Sequence, residues 1–375
     1  MKLFHTSDWH LGRMLYGRSL LEDQRWFLQQ VFLPAVERER PACVLIAGDV
    51  YDRQIAPVEA IQLFDETLLG LLELGTTVCV ISGNHDGAGR MALLKSALRR
   101  SGAIFATTLE DAFSPVELEE NGERLQLFLL PYFDTAQARD FLGDDSLRGE
   151  GPCAQALLER LLPLFQPGAG HVLVSHCFAA GSQVSDSETI LFVGGSGQVP
   201  TSAFDPFDYA ALGHLHGPQK AGAKGRYSGS PLKYSIDEEH QQKGYVSLSW
   251  DGKEMGQEFV PCPPLRDVRR VQGLFADLLA AGEQHPCEDY VELVLTDNAP
   301  VLLAAERLRP FYPNLLAVSN PWVAAGTTGE RASQLKGKDE ATIFSTFLKE
   351  VCQTEPTPQD LELFREILGD IQGEG

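Results

Sequence analysis

Residues 209–217 read YAALGHLHG, so two histidines, His214 and His216, stand one residue apart between glycines. The apolar run before them is typical of a buried strand. Side chains two residues apart in a strand point the same way, so we expect both imidazoles to project together. One metal ion or a pair is the simplest ligand for them, because imidazole is the commonest metal ligand. Taken alone, the pair is equally compatible with ordinary structural histidines.

Other metal-ligating side chains also follow short apolar runs. These residues are Asp8 and His10 in TSDWHLG, Asp49 in IAGDVYDR, Asn84 and His85 in ISGNHDG, and His176 in LVSHCF. In an open α/β sheet, the carboxyl ends of the strands converge on one crevice where ligands bind. We therefore expect these side chains to share one site with His214 and His216.

This donor set indicates a dinuclear metal site. Carboxylate, amide oxygen and imidazole together suit Mn²⁺, Fe²⁺ or Zn²⁺. A carboxylate can bridge two ions and a single imidazole cannot, so we predict that Asp49, central in chain order, is the bridge. Two ions about 3.5–4 Å apart can clamp a phosphate and activate water for in-line attack. The predicted chemistry is therefore phosphoester hydrolysis.

His85 has a different predicted role, because it directly follows Asn84. If Asn84 faces the ions, His85 lies beside them, where it can protonate the leaving oxygen. Asp86 is a candidate for orienting His85. The alternative is a structural His85 that donates to a backbone carbonyl.

Strand-like and helical patterns alternate over the first half of the chain. The predicted strands are 2–4, 42–48, 76–82, 125–131, 171–175, 208–212 and 245–250, and the predicted helices are 20–38, 57–74 and 90–100. Such alternation is typical of βαβ units and of strands buried on both faces. We therefore predict an α/β fold for this part of the chain.

The pattern changes near the proline-rich segment 261–267. Beyond it, strand-like and helical segments predict a small α+β domain, followed by a small, polar stretch that is typical of a flexible connector. We predict a first domain over 1–264, a second over 265–325, a linker over 326–340 and a helical tail over 341–375.

The tail carries two apolar stripes at helical spacing. Its predicted partner-binding residues are Ile343, Phe344, Phe347, Leu348, Leu361, Phe364 and Leu368. Thr357 is a good N-cap, and Pro358 suits the first helical position. Helices this short are marginal alone, so we favour docking on a partner over packing of the stripes on each other.

The composition limits the function and the environment. The net charge is −21, which argues against a simple electrostatic DNA binder, because phosphate contacts need lysine and arginine. The seven cysteines are widely spaced without CxxC, and we find no signal peptide or membrane span. We expect a protein of the reducing cytoplasm.

The segments DWH, GDVYDR, GNHD, SH and GHLH, in this order, resemble the five-part signature of calcineurin-like metallophosphoesterases. The resemblance implies a four-layer αββα sandwich with His85 as the catalytic histidine. It also implies that one ion takes Asp8, His10, Asp49 and His216, and that the other takes Asp49, Asn84, His176 and His214.

The chain resembles more closely the SbcD family, the nuclease subunits of bacterial SbcCD complexes. This resemblance is found in segments 5–19 and 227–249, in the small second domain and in the helical tail. This resemblance implies a Mn²⁺-dependent 3′→5′ double-strand exonuclease and single-strand or hairpin endonuclease for DNA break processing. It also implies an SbcC-type SMC-like ATPase partner that binds the tail, a homodimer within a heterotetramer, and a nucleoid-associated location.

Several side chains have roles that the motifs leave open. Asp52 stands where some archaeal relatives carry a histidine, and it is either a supporting carboxylate near the metals or an ion-pair partner for Arg53. The candidate DNA contacts are Arg13, Tyr16, Arg18, Lys224, Arg226 and Lys233. A phosphoesterase for phosphoproteins, cyclic nucleotides or lipids and a non-catalytic scaffold for the ATPase are the alternative functions.

Overall fold

Short runs of apolar and β-branched residues form the strands of two six-stranded sheets. The computed structural model describes residues 1–93, 95–188, 197–321, 339–350 and 355–373. The first sheet has the order β14-β13-β1-β4-β5-β6, and its strands are β1 Lys2–Thr6, β4 Cys43–Ala47, β5 Thr77–Ile81, β6 Ala103–Ala106, β13 Gly244–Trp250 and β14 Met255–Pro261.

The second sheet has the order β11-β12-β10-β9-β8-β7. Its strands are β7 Val116–Glu120, β8 Glu123–Leu130, β9 Gly170–His176, β10 Tyr209–Gly213, β11 Gln219–Ala221 and β12 Gly225–Tyr227. Strands β8, β9, β10 and β12 run parallel, as do β1, β4, β5 and β6 of the first sheet. A small hairpin, β2 Met14–Leu15 with β3 Arg18–Ser19, follows β1.

The two sheets pack face to face because alternate side chains of each strand point inward. Leu45 of β4 and Cys79 of β5 share one buried cluster with Leu127 of β8 and Val174 of β9. On the outer side of the second sheet, Phe128 belongs to a cluster that includes helical residues. The expected αββα sandwich is thereby confirmed.

Helices cover the outer faces of both sheets. They are α1 Leu21–Trp26, α2 Leu33–Glu39, α3 Val58–Glu73, α4 Ala88–Met91, α5 Lys95–Arg100, α6 Thr135–Leu142 and α7 Glu150–Leu161. A π-helical segment, Phe27–Phe32, joins α1 to α2, so the helix predicted over 20–38 is confirmed with one irregular turn. The single helix predicted over 90–100 is instead two short helices, α4 and α5.

The chain divides into two units, Met1–Leu265 and Arg266–Gly375. The second unit contains a parallel sheet of β15 Val268–Gly273, β16 Tyr290–Leu295 and β17 Leu315–Ser319, with α8 Phe275–Gln284 and α9 Ala304–Leu308. Leu278 of α8 and Leu308 of α9 pack with Leu293 of β16 in its core.

The tail contains α10 Glu340–Glu350 and α11 Pro358–Gly373. The predicted cap of α11 is confirmed, because Thr357 Oγ1 accepts from the backbone of Asp360 and donates to its carboxylate. Most of the predicted linker 326–340, most of the GGSGQ segment (194–198) and the side chain of Phe347 lie outside the described residues. Each helix in the described part of the chain is too short or too polar to cross a bilayer.

Candidate dinuclear metal centre

The predicted ligands gather where five strands end. Asp8 and His10 follow β1, Asp49 follows β4 and Asn84 follows β5, all in the first sheet. His176 is the last residue of β9, while His214 and His216 follow β10 in the second sheet. The convergence expected from the sequence is therefore present, and it involves both sheets rather than one.

The backbone is strained at four of these positions. The φ angles are 53° at Asp8, 44° at His10, 51° at Asp49 and 102° at His214. Left-handed backbone costs about 1–3 kcal/mol for a residue with a side chain, and such strain concentrates at functional sites. The loops therefore hold these side chains in positions that ordinary strand ends do not provide.

Glycines allow the loops to approach one another. A Cβ on Gly213 would lie 1.9 Å from the carbonyl oxygen of Ala47, which belongs to the other sheet. A Cβ on Gly83 would lie 2.2 Å from Asp49 Oδ1. Both distances are far below van der Waals contact. Glycine is therefore required at position 213 for the close approach of the two sheets, and at position 83 for the close approach of two loops of the first sheet.

One group of donors consists of Asp8, His10 and His216, whose ligand atoms all lie within 4.8 Å of one another. The Nε2 atoms of His10 and His216 are 3.1 Å apart. Both imidazoles are buried, and they present the same ring nitrogen to the same space. This arrangement is typical of two ligands that face one cation.

A second group of donors surrounds the amide of Asn84. Its Oδ1 lies 2.9 Å from His176 Nε2 and 3.2 Å from His214 Nδ1. Asp49 connects the two groups, because its Oδ2 lies 3.3 Å from His176 Nε2 and 3.6 Å from His10 Nε2. Asp49 is therefore placed where a bridging carboxylate would lie.

We expected His214 and His216 to point the same way because they would lie two residues apart in a strand, and this expectation was wrong. Strand β10 ends at Gly213, so neither histidine lies in the strand. The positive φ of His214 turns the chain. Consequently His214 faces Asn84, whereas His216 faces His10.

Burial favours the neutral form of three of these four imidazoles, whereas at His176 the Asp49 carboxylate outweighs burial and raises the pKa to about 9. Burial lowers the pKa of His214 and of His216 to about 3, and it also lowers the pKa of His10. A neutral imidazole has the lone pair that a metal ligand needs. Burial opposes the charge on Asp49, but His176 and His10 beside it hold the pKa of its carboxyl well below its usual range. The donor set therefore fits divalent cations.

His85 lies beside the donors and is half-buried. Its backbone N–H donates to Asp49 Oδ1 at 2.9 Å, and its Nδ1 lies 3.0 Å from the carbonyl oxygen of Asp52. The carboxylate of Asp86 accepts from the backbone N–H groups of Val50, Tyr51 and Gly83. Asp86 thus fastens the loops that carry Asp49 and Asn84, whereas the carbonyl of Asp52 contacts the His85 ring.

Arg13 makes two contacts near the site. It donates to Asp52 Oδ1 and to the carbonyl oxygen of Ser187, each at 2.9 Å, and its side chain is 17% exposed. Burial opposes the charge of Asp52, but His10 and Arg13 lower its pKa to about 2. Asp52 Oδ1 also lies 3.6 Å from His10 Nδ1, while Arg53 Nε lies 3.6 Å from Asp52 Oδ2.

The remaining DNA-contact candidates have varied surroundings. Tyr16 is 60% exposed. Lys233 donates to the carbonyl oxygen of Glu239 at 2.7 Å, and Arg18 is half-buried. Contact of these residues with DNA stays a prediction.

Sequence reasoning missed a cluster of buried and half-buried polar side chains beside His216. Ser187 Oγ lies 2.5 Å from His216 Nδ1, and Glu188 accepts from the backbone N–H of His216 at 2.5 Å. Glu238 is fully buried and pairs with Lys243 at 2.6 Å. Burial would raise the pKa of Glu238, but Lys243 holds it well below its usual range. Only the SbcD-like segment 227–249, which contains both residues, pointed to this region.

Two family profiles match the chain. Calcineurin-like phosphoesterase matches residues 1–218, and the Type 5 capsule protein repressor C-terminal domain matches residues 264–351. Among solved structures, TT1561 of Thermus thermophilus is 11% identical, with a TM-score of 0.38 over 69% of this chain and 98% of that chain.

A curated relative matches almost the whole chain. The SbcD subunit of nuclease SbcCD from Staphylococcus epidermidis is 33% identical over 353 residues, which are 93% of each chain. The chain therefore belongs to the calcineurin-like phosphoesterases, enzymes that hydrolyse phosphate esters, and within that family it is a homologue of the SbcD subunit of nuclease SbcCD.

Proposed function

We propose that the chain is the nuclease subunit of an SbcCD-type complex and hydrolyses DNA phosphodiester bonds at a dinuclear metal centre. The position of Asp49 Oδ2, within 3.6 Å of His10 Nε2 and 3.3 Å of His176 Nε2, carries this proposal. It gives the two groups of donors a shared carboxylate, which is the arrangement that two adjacent cations require.

The proposed ligands divide between two ions. Asp8, His10, Asp49 and His216 would hold one ion, and Asp49, Asn84, His176 and His214 would hold the other. When bound, the two ions would polarise the phosphate and lower the pKa of the attacking water. We favour Mn²⁺ because the set mixes carboxylate and amide oxygen with imidazole.

His85 is the proposed general acid. The carbonyl oxygen of Asp52 can only accept, so His85 Nδ1 holds a hydrogen and the ring is fixed by that bond. As a general acid the ring carries a hydrogen on both nitrogens, and the Nε2 hydrogen is the proton that passes to the leaving oxygen of the phosphodiester. The backbone N–H of His85 donates to Asp49, so the acid and the shared carboxylate keep a constant spacing.

The relationship to the SbcD subunit supports the finer assignments. We assign 3′→5′ exonuclease activity on duplex DNA and endonuclease activity on single strands and hairpins, in DNA break processing at the nucleoid. An SbcC-type SMC-like ATPase is the proposed partner of a homodimer, and it would supply positive charge that a chain of net charge −21 lacks.

The tail helices are the proposed docking element for the ATPase. Phe344 and Phe364 stack on each other with ring centroids 4.2 Å apart, so part of the predicted apolar stripe joins the two helices. Ile343, Leu363 and Ile367 are 37%, 57% and 50% exposed. These exposed side chains are the better candidates for contact with a partner groove.

The deciding experiment compares substrates under one condition. The purified chain, alone and with its ATPase partner, is incubated with Mn²⁺ and linear duplex DNA, hairpin DNA or bis-p-nitrophenyl phosphate. We expect cleavage of both DNAs, with duplex digestion dependent on the partner and ATP. Cleavage of the small ester alone, even with the partner present, would refute the nuclease assignment and favour another substrate class.

A further inference from the structure

A chain of polar contacts runs from His216 away from the metal centre. His216 presents Nε2 to His10, and its other ring nitrogen, Nδ1, lies 2.5 Å from Ser187 Oγ. The Ser187 hydroxyl in turn donates to Glu238 Oε1. Ser187 and Glu238 are far apart in the sequence, so the fold alone creates this chain of contacts.

The direction of each hydrogen bond follows from the chemistry of the groups. Three donors surround the Glu238 carboxylate: Ser187 at Oε1, with Lys243 and the backbone N–H of Tyr234 at Oε2. The carboxylate is therefore an acceptor only. A hydroxyl has a single hydrogen, and Ser187 donates it to Glu238. The Ser187 oxygen can therefore only accept from His216 Nδ1.

His216 must then carry its hydrogen on Nδ1, which leaves the lone pair of Nε2 for a metal ion. Groups beyond a ligand commonly fix its tautomer and ring orientation in this way. In addition, Lys243 Nζ donates to the carbonyl oxygen of His216 at 2.8 Å. The Glu238–Lys243 pair therefore holds both the ring and the backbone of this one residue.

We propose that Glu238, acting through the Ser187 hydroxyl, is a positioning residue that sets the tautomer and orientation of His216 for metal binding. This inference rests on the proposed function, in which His216 is a ligand. Lys243 has a complementary role, because its positive charge compensates for the charge of the Glu238 carboxylate, which is fully buried.

The test measures Mn²⁺ binding to the full chain by calorimetry, together with thermal unfolding of the metal-free protein. Ser187→Ala removes the bridging hydroxyl, and we expect the affinity for one of the two ions to fall about 10- to 100-fold. We expect unfolding of the metal-free protein to be unchanged, and Ser187→Thr to restore affinity because it keeps a hydroxyl. Wild-type affinity for both ions in Ser187→Ala would overturn the proposal.

Ser235→Ala is the matched control, because it removes a hydroxyl that lies 3.1 Å from the same carboxylate oxygen and bonds to Asp237 rather than to His216. Its affinity should equal that of the wild type, and an equal loss would overturn the proposal. The double variant Glu238→Gln/Lys243→Met removes the carboxylate without leaving Lys243 unpaired. It should lose as much affinity as Ser187→Ala, with no further loss when the two are combined, and wild-type affinity would again overturn the proposal.

Replacement of His216 itself distinguishes a wrong ligand assignment from a wrong positioning role. His216→Ala should lose one ion altogether. If His216→Ala binds both ions normally, the ligand assignment under the proposed function is wrong, and the positioning role falls with it. If His216→Ala loses an ion and Ser187→Ala does not, the proposed function stands and only the positioning role is refuted.

Discussion

His10 and His216 approach each other with their Nε2 atoms 3.1 Å apart, although 206 positions separate them in the chain. One follows a strand of the first sheet and the other follows a strand of the second sheet. When both Nε2 atoms present lone pairs, as metal ligands do, neither can donate to the other, and both would stay unpartnered in a buried position. A cation between the sheets would satisfy both lone pairs, so the metal would also join the two halves of the sandwich.

We predict that His10→Ala binds one Mn²⁺ fewer than the wild type, because it removes a nitrogen donor from one group only. Metal analysis after dialysis counts the bound ions. His240→Ala is the control, because that side chain is 92% exposed, unlike the buried donors. Two tightly bound ions in His10→Ala would contradict the assigned ligand set.

His85→Gln should separate metal binding from turnover. The amide keeps a similar shape but cannot act as an acid, so we expect DNA cleavage to fall by about 10²–10⁴-fold. Mn²⁺ occupancy should remain that of the wild type, since no ligand atom is removed. Cleavage within a few-fold of the wild type would show that another group protonates the leaving oxygen.

Gly213→Ala should destabilise the first unit. The added Cβ would meet the carbonyl oxygen of Ala47 at 1.9 Å and force the sheets apart at the site, which costs about 1–3 kcal/mol or more. Urea unfolding measures the loss. Gly89→Ala is the control, because nothing lies within 4 Å of the corresponding Cβ. Equal stability of the two variants would show that the sheets can move apart freely.

Much of the site was predictable from the strands. The apolar runs 42–48 and 171–175 are short and flanked by glycine or polar residues, so they predicted β4 and β9. The rule that carboxyl ends of parallel strands share an edge then placed Asp49 near Asn84 in the first sheet, whereas the approach of His176 from the second sheet does not follow from it. These steps need only local patterns and one general property of α/β sheets.

Contacts that depend on loop conformation were not predictable. The left-handed backbone at His214 decides which ring faces Asn84, and no local pattern predicts a φ of 102° at histidine. The contact of Ser187 with Glu238 links positions 51 residues apart, one in a loop and the other in the short 3₁₀ helix Ile236–His240. Side chains in such segments have no periodicity that identifies them as neighbours.

Glu150 gives a pH-dependent prediction outside the metal centre. Burial raises the pKa of its carboxyl to about 7, above the value of an unfolded chain. The folded state therefore binds a proton more tightly than the unfolded state, and this contribution to stability is lost as pH rises through 7. Glu150→Gln should raise the free energy of unfolding at pH 8 by about 1 kcal/mol, after allowance for solvent screening, and should not raise it at pH 4.

Denaturant unfolding at the two pH values checks this prediction. Glu159→Gln is the control, because Glu159 lies on the same helix and is exposed. It should show no such difference between pH 4 and pH 8. A destabilised Glu150→Gln at pH 8 would mean that the charged carboxylate is favourable where it lies.

The tail prediction concerns which face of α11 meets the ATPase. Leu363 and Ile367 are four residues apart and exposed, so they lie on one side of the helix, whereas Phe364 stacks on Phe344 of α10. Leu363→Asp and Ile367→Asp should each weaken binding of the ATPase partner at least tenfold, because apolar anchors dominate helix-in-groove interfaces. Glu362→Gln, an exposed polar change on the same helix, should leave binding of the ATPase partner unchanged.

Metal-dependent cleavage of hairpin DNA by the isolated chain should be equal in all three variants, because the metal centre is not altered. Unchanged ATPase binding in both aspartate variants would exclude this face as the docking surface.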